Sequence, residues 1–231
     1  MSQRTDLKLP EFITFTGADD VSLIPQMVEL SSQYPIEWGI LFNSKDGKRV
    51  VKSRYPSSDF INALNGQNLR LAAHICGELS EKIIEQGCCQ TLDQILFLFK
   101  RAQLNTTLRI GEVEFCKRAE NIQSWSDHHD IRVILQCRDE FPINDDVDWL
   151  YDQSGGRGLA PVEWPLYFGE PMVGFAGGLS PESVSEALEE IGSMNILYWL
   201  DMETGIRTDD KFDMEKCRRV CQLVYGDNYE K

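Results

Sequence analysis

The chain has 231 residues, 42% of them hydrophobic, enough to bury a sizeable core as one α/β barrel or as two small domains. Its 37 acidic residues against 23 basic ones give a net charge of -14, which argues against nucleic-acid or anionic-membrane partners, because phosphate surfaces are bound by clustered cations. The seven cysteines are odd in number, show no repeated spacing and follow no apolar signal run, so a reduced cytoplasm is expected; no apolar stretch reaches the ~18 residues of a membrane span.

Residues 1–10 read as a flexible arm ending at Pro10, and residues 11–16, β-branched and aromatic, form a strand that stops at Gly17. Asp19 and Asp20 are placed to cap a helix with Val21, Ile24, Val28 and Leu30 on its apolar face, ended by Tyr34-Pro35. A strand over 36–42, a loop from Asn43, a helix over 58–64, a strand over 69–76 and helices over 78–85 and 92–102 follow. Further strands are predicted at 107–112, 131–137, 149–152, 172–176 and 196–202, then a helix built on Phe212, Met214, Cys217, Val220 and Val224. This alternation suits a (β/α)8 barrel or an open doubly wound sheet, with the barrel ahead because the strands number eight. No Pro/Gly/Ser-rich break, repeat or low-complexity tract divides the chain, so residues 1–231 are read as one domain.

Either architecture places its ligand beyond the carboxyl ends of the strands, so the strand-to-helix turns carry the chemistry. Asp152-Gln153-Ser154-Gly155-Gly156-Arg157-Gly158 combines a carboxylate with three glycines that let backbone approach a ligand; its plainer reading is a Gly-rich turn. Ala176-Gly177-Gly178-Leu179-Ser180-Pro181-Glu182-Ser183-Val184 follows the next strand, with Ser180 as N-cap and Pro181 in the first helical turn, so that helix-start N–H groups can bind phosphate. Asp201-Met202-Glu203-Thr204-Gly205 closes the last strand in another turn, and loops after strands seven and eight are the recurrent phosphate cradle of a barrel.

The ordered set of Asp152 with Gly155, Gly156 and Gly158, then Trp164, then the Ala176 to Val184 run, then Asp201 to Gly205, resembles the C-terminal half of phosphoribosylanthranilate isomerase. Toward the N-terminus the likeness continues more loosely through Thr14-Phe15-Thr16-Gly17, where the family has Lys-Ile/Phe-Cys-Gly, and Trp38-Gly39-Ile40-Leu41-Phe42. The resemblance implies a TIM barrel without a cofactor whose three C-terminal loops, including Gly177, Gly178, Asp201, Glu203 and Thr204, hold the phosphate of a phosphorylated small-molecule ligand. It implies Asp152 as general acid, and Arg54 as the basic residue that meets a substrate carboxylate. The implied reaction is an Amadori rearrangement of an aminoaldose to an aminoketose, in which an acid opens the sugar ring and a base takes the proton at C2.

The base position departs from the family: Thr16 stands where the resemblance implies cysteine, and Thr14 where it implies lysine. Losing one acid–base participant typically costs about 10²–10⁴-fold, so the family's own reaction is not a given. His74-Ile75-Cys76 puts an imidazole and a thiol on one strand face, as a replacement base or as the machinery of a lyase or hydrolase. The plainer reading, a core histidine and a small apolar cysteine, has equal weight. Glu37, Arg109 and Gln136 are further inward-facing candidates, and Arg54, Arg109 and Arg157, with Arg138 nearby, would supply positive potential for an anion. His128-His129, adjacent and read as a loop without a Cys-x-x-Cys pair, do not predict a metal site. The expectation is a cytoplasmic sugar-phosphate isomerase, monomeric or homodimeric; the alternative is an inactive phosphate-ligand binding barrel.

Overall fold

A computed structural model describes residues 7–46, 48–105, 115–142, 146–155, 157–169, 172–227 and 229. Eight parallel strands close into a barrel: β1 (Phe12–Thr16), β2 (Ile36–Phe42), β3 (Arg70–Ile75), β4 (Arg101–Leu104), β5 (Arg132–Cys137), β6 (Asp148–Tyr151), β7 (Val173–Ala176) and β8 (Tyr198–Met202). Thr14 of β1 pairs with Asp201 of β8 on one side and Glu37 of β2 on the other, which closes the ring and excludes the open sheet. The helices are α1 (Ile24–Gln33), α2 (Ser58–Leu64), α3 (Glu78–Gln86), α4 (Gln90–Asp93), α5 (Phe115–His129), α6 (Val184–Gly192) and α7 (Met214–Tyr225). Among the described residues no helix follows β5 or β6.

Local chemistry sets several boundaries. Asp20 accepts the Ser22 N–H at 2.8 Å ahead of the turn that leads into α1, and Ser57 accepts the Phe60 N–H at 3.3 Å to open α2. Asp213 accepts the N–H groups of Glu215 and Lys216 to open α7, a cap of the kind worth about 1 kcal/mol.

Every strand has two faces with different chemistry, as the period of two requires. Ile13, Phe15, Trp38, Ile40, Val133, Leu135 and Leu200 point outward into one apolar layer beneath the helices. The inward set is largely polar and buried, with Thr14, Thr16, Glu37, His74, Arg101, Gln103, Asp148 and Asp201 around a small plug of Phe12, Ile134, Leu150, Ala176 and Trp199. At the amino-terminal end of the barrel these charges pair in a chain. Arg70 donates to Glu37 at 3.0 Å, Arg101 to Glu37 at 2.8 Å and to Asp148 at 3.0 Å, and Arg132 to Asp148 at 2.8 Å. The Phe12 ring stacks on Trp199, and the Arg70 guanidinium lies 3.6 Å from the Phe12 centroid. Burying charge is tolerable only with such partners.

The structure corrects the sequence reading in the middle of the chain. The helix expected over 92–102 is α4, a short 3-10 turn at Leu96–Leu98 and the start of β4. Arg101 and Gln103 face the barrel interior while Ala102 and Leu104 face the helices, a period of two hidden by a polar lumen. The strand expected at 107–112 lies outside the described residues, and the fourth barrel strand is β4. His128 and His129 end α5, a helix whose Ile122 and Trp125 are buried three residues apart, and do not lie on a loop. Ser180 and Pro181 lie in a turn ahead of α6 and not at its cap or in its first turn.

Candidate functional site

A polar cleft of ≈ 570 Å³, counted to its open mouth, lies at the carboxyl ends of the strands. Its floor joins β1, β3 and β8. Thr16 Oγ1 donates to Asp201 Oδ1 at 2.9 Å and lies 3.5 Å from His74 Nδ1, while His74 Nε2 is 4.0 Å from Asp201 Oδ2. Gly39 of β2 makes this arrangement possible, because a Cβ there would strike Thr16 Oγ1 and sit 2.9 Å from His74 Nε2. Burial, reinforced by the charges of Glu203, Glu37 and Asp152 and opposed by the Thr16 hydrogen bond, pushes the Asp201 carboxyl up to about 8. Burial, with the Arg101 charge below it, pushes the His74 imidazole down to about 3. At neutral pH Asp201 is mostly protonated and His74 neutral, so this contact is not an ion pair.

The loop after β6 also lines the cleft. Asp152 Oδ1 accepts from Ser154 Oγ at 2.8 Å and from the Gly155 N–H at 3.1 Å, and Ser154 Oγ accepts from the Gly158 N–H at 3.2 Å. The loop thus wraps around its own carboxylate and presents it to the cleft. Trp164, farther along the same segment, packs against Tyr151 and Phe175 and anchors the excursion to the barrel wall.

The loop after β7 supplies donors. Gly178 has φ +66, and a Cβ on it would run into the backbone of Ala160, so only glycine lets the two loops meet. The amides of Gly178 and Leu179 have no hydrogen-bonded acceptor among the described residues. Those of Ser180, Glu182 and Ser183 are taken up within the turn, by Ser183 Oγ, Ser180 Oγ and the Ser180 carbonyl. An anion would therefore meet the glycine turn and not the start of α6 as the sequence reading had it. Gly158, Gly177, Thr204 and Gly205 line the same cleft.

The structure brings Thr16, His74, Asp152, Gly158, Gly177, Gly178, Asp201, Glu203 and Thr204 to one cleft. It does not bring the expected cations there. Arg54, at φ +76, donates to Glu203 Oε1 at 2.8 Å and to Asp210 Oδ1 from two nitrogens at 3.0 and 2.8 Å. Its guanidinium is occupied by carboxylates of the chain itself. Arg157 is exposed, with Nε donating to the Ser154 carbonyl at 2.8 Å, and Gly155 is exposed beside Arg138; none of these lines the cleft. Arg109 and Gly156 lie outside the described residues. Glu37 belongs to the paired charges at the far end of the barrel. Cys76 is partly buried against Asn105 Nδ2 at 2.9 Å, off the cleft lining, and burial pushes its thiol up to about 12.

Gln103 and Asn105 line the cleft and were not singled out in the sequence, whereas Ser154 of the 152–158 loop and the inward-facing candidate Gln136 line it as well. The Arg101/Gln103/Asn105 alternation was the available signal for the first two. Among the described residues no group of three or more His, Cys, Asp or Glu side chains is arranged to hold a metal ion, and no helix is long and apolar enough to cross a membrane.

A closed barrel with a polar cleft at the carboxyl ends of its strands defines the class: a TIM barrel with the ligand face of that fold. Within it, the chain is similar to solved phosphoribosylanthranilate isomerases. That of Thermus thermophilus superposes with a TM-score of 0.61 at 18% identity, covering 92% of this chain and 97% of that one. Those of Pyrococcus furiosus and Thermococcus kodakaraensis give 0.59 and 0.56 at 11% identity, covering 92% and 93% of this chain and 98% of each of theirs. At such identities the likeness is one of fold. No protein-family model matches the chain, and no curated protein matches it significantly in sequence.

Proposed function

We propose that the cleft binds a phosphorylated sugar and interconverts its aldose and ketose forms by proton transfer between two carboxyl groups, Asp152 and Asp201. The observation that carries this reading is their convergence on one cleft from β6 and β8, strands with only β7 between them. Asp152 protonates the ring oxygen, as its place after the sixth strand suggests. Asp201, in the fraction that is ionised, takes the proton at C2 and returns it to C1 as the hydroxyl proton passes from O2 to O1. It titrates near working pH, where a general base is most effective, and the Thr16 hydroxyl orients it from the position the base would otherwise hold. The ligand phosphate rests on the amides of Gly178 and Leu179 and on the turn at Thr204. The fold likeness to solved phosphoribosylanthranilate isomerases supports the reaction class.

The test is turnover of aldose phosphates followed by proton NMR in deuterated water. Asp152→Asn and Asp201→Asn should each lower kcat by about 10²–10⁴-fold without loss of fold. Tight binding without turnover would favour the second reading, a phosphate-ligand binding barrel, for which the threonine at the base position speaks. A lyase or hydrolase built on His74 and Cys76 finds less support, since burial leaves neither group able to titrate near neutrality.

A further inference from the structure

We infer that the ligand carries, besides its phosphate, a protonated amine among its hydroxyl donors, and no carboxylate. The inference rests on reading the cleft as the sugar site. Asp152, Asp201 and Glu203 line it, and no lysine or arginine does so among the described residues. These carboxyl groups, Asp201 being mostly protonated, attract donors and offer a second anion no cation, on a chain whose net charge is already -14.

Gln103 gives an independent indication. Its side chain lines the cleft and is 4% exposed; Nε2 donates to Asn105 Oδ1 at 2.7 Å, while Oε1 has no partner. A buried acceptor left unpaired is costly, and a ligand N–H or O–H would relieve it. Beside it, Asn105 Oδ1 is taken by Gln103 and one Asn105 N–H by Cys76, so the open acceptor of the pair is Gln103 Oε1.

The third strand of the argument is Arg54. A ligand carboxylate would want its guanidinium, but Glu203 and Asp210 already hold it through three hydrogen bonds. An incoming carboxylate would have to replace Glu203, trading one anion for another while facing Asp152. Glu203 Oε2 has no partner among the described residues and is open to an ammonium group.

Calorimetric titration at pH 7 decides the matter with matched probes: a 2-amino-2-deoxyhexose 6-phosphate, the corresponding hexose 6-phosphate and the hexonate 6-phosphate. The amine should bind at least about tenfold more tightly than the hexonate, the effect of a two-charge difference, partly screened, with the neutral sugar between them. Glu203→Gln, which removes a carboxylate and releases Arg54, should narrow or invert that order. The phosphate-free amino sugar and hexonate are run in parallel. If amine preference appears there while phosphate adds nothing, the amine inference stands and the phosphate cradle falls. Equal affinities, a reversed order, or no binding of amine or hexonate in either series overturns the inference, and the wild-type comparison alone suffices if the variant fails to fold.

Discussion

The two ends of the barrel interior handle buried polar groups in opposite ways. At the amino-terminal end Glu37 accepts from Thr14, Arg70 and Arg101, and Asp148 from Arg101 and Arg132; only Arg101 Nε is left over, on a guanidinium lying 4.2 Å from the Trp199 ring centroid. At the carboxyl end Asp201 accepts one hydrogen bond from Thr16, Gln103 Oε1 accepts none, and the closest polar neighbours of His74 stand at 3.5 and 4.0 Å. The same lumen is thus densely paired at one end and sparsely paired at the other. Paired charges hold strands in register, whereas unpaired polar groups persist where a ligand can complete them.

The largest way to break this contrast is Arg101→Met, which takes from each of two buried carboxylates its buried arginine partner, leaving only the more exposed Arg70 and Arg132, and should cost about 3–5 kcal/mol in urea denaturation. A much smaller loss would mean the chain of ion pairs is dispensable. Gly39→Ala should cost about 1–3 kcal/mol by forcing Thr16 and His74 apart, and should abolish ligand binding with it.

The pH dependence of stability separates the two unsatisfied groups. Asp201, raised to about 8, contributes stability that is fully present below its unfolded value near 4 and is lost as pH rises through about 8. His74, lowered to about 3, contributes stability that is present above its unfolded value of 6.5 and is lost as pH falls toward about 3. Their slopes oppose each other between pH 4 and 6.5, and Asp201 alone acts from 6.5 to 8. Asp201→Asn should therefore abolish the decline above 6.5, a slope of up to about 1.4 kcal/mol per pH unit, and unmask the rise below it. Denaturation midpoints across pH 3 to 9 that do not change with the mutation would remove Asp201 as a titrating group. The smallest effect belongs to the surface: Lys100→Ala, which breaks a pair with Asp130 exposed on both sides, should leave the midpoint where it was.

Most of the barrel is legible in the sequence. The predicted strands over 36–42 and 131–137 and the helix over 58–64 match β2, β5 and α2 closely, because each carries a clean apolar pattern against a turn or cap. The 92–104 stretch failed because the interior of this barrel is polar. Arg101 and Gln103 look like a solvent face until the closed sheet turns them inward, and the adjacent apolar run at 95–99 suggests a helix. For the cleft, the glycine turns and Asp152 could be named from residue order, and Asp201 was named as a binding residue. That Arg54 is spent on Glu203 and Asp210 could not be, since those partners lie 149 and 156 residues away.

The sequence by itself determined the alternation of strands and helices, the glycines that let the loops after β6 and β7 approach each other, and the carboxylates at the strand ends, because these depend on local pattern and turn chemistry. Only the tertiary structure decided which charges are paired, that Thr16 serves Asp201, and that Gln103 is left with an open acceptor. Pairing and desolvation arise when a closed sheet brings distant residues into one dry interior, and no local pattern encodes that distance.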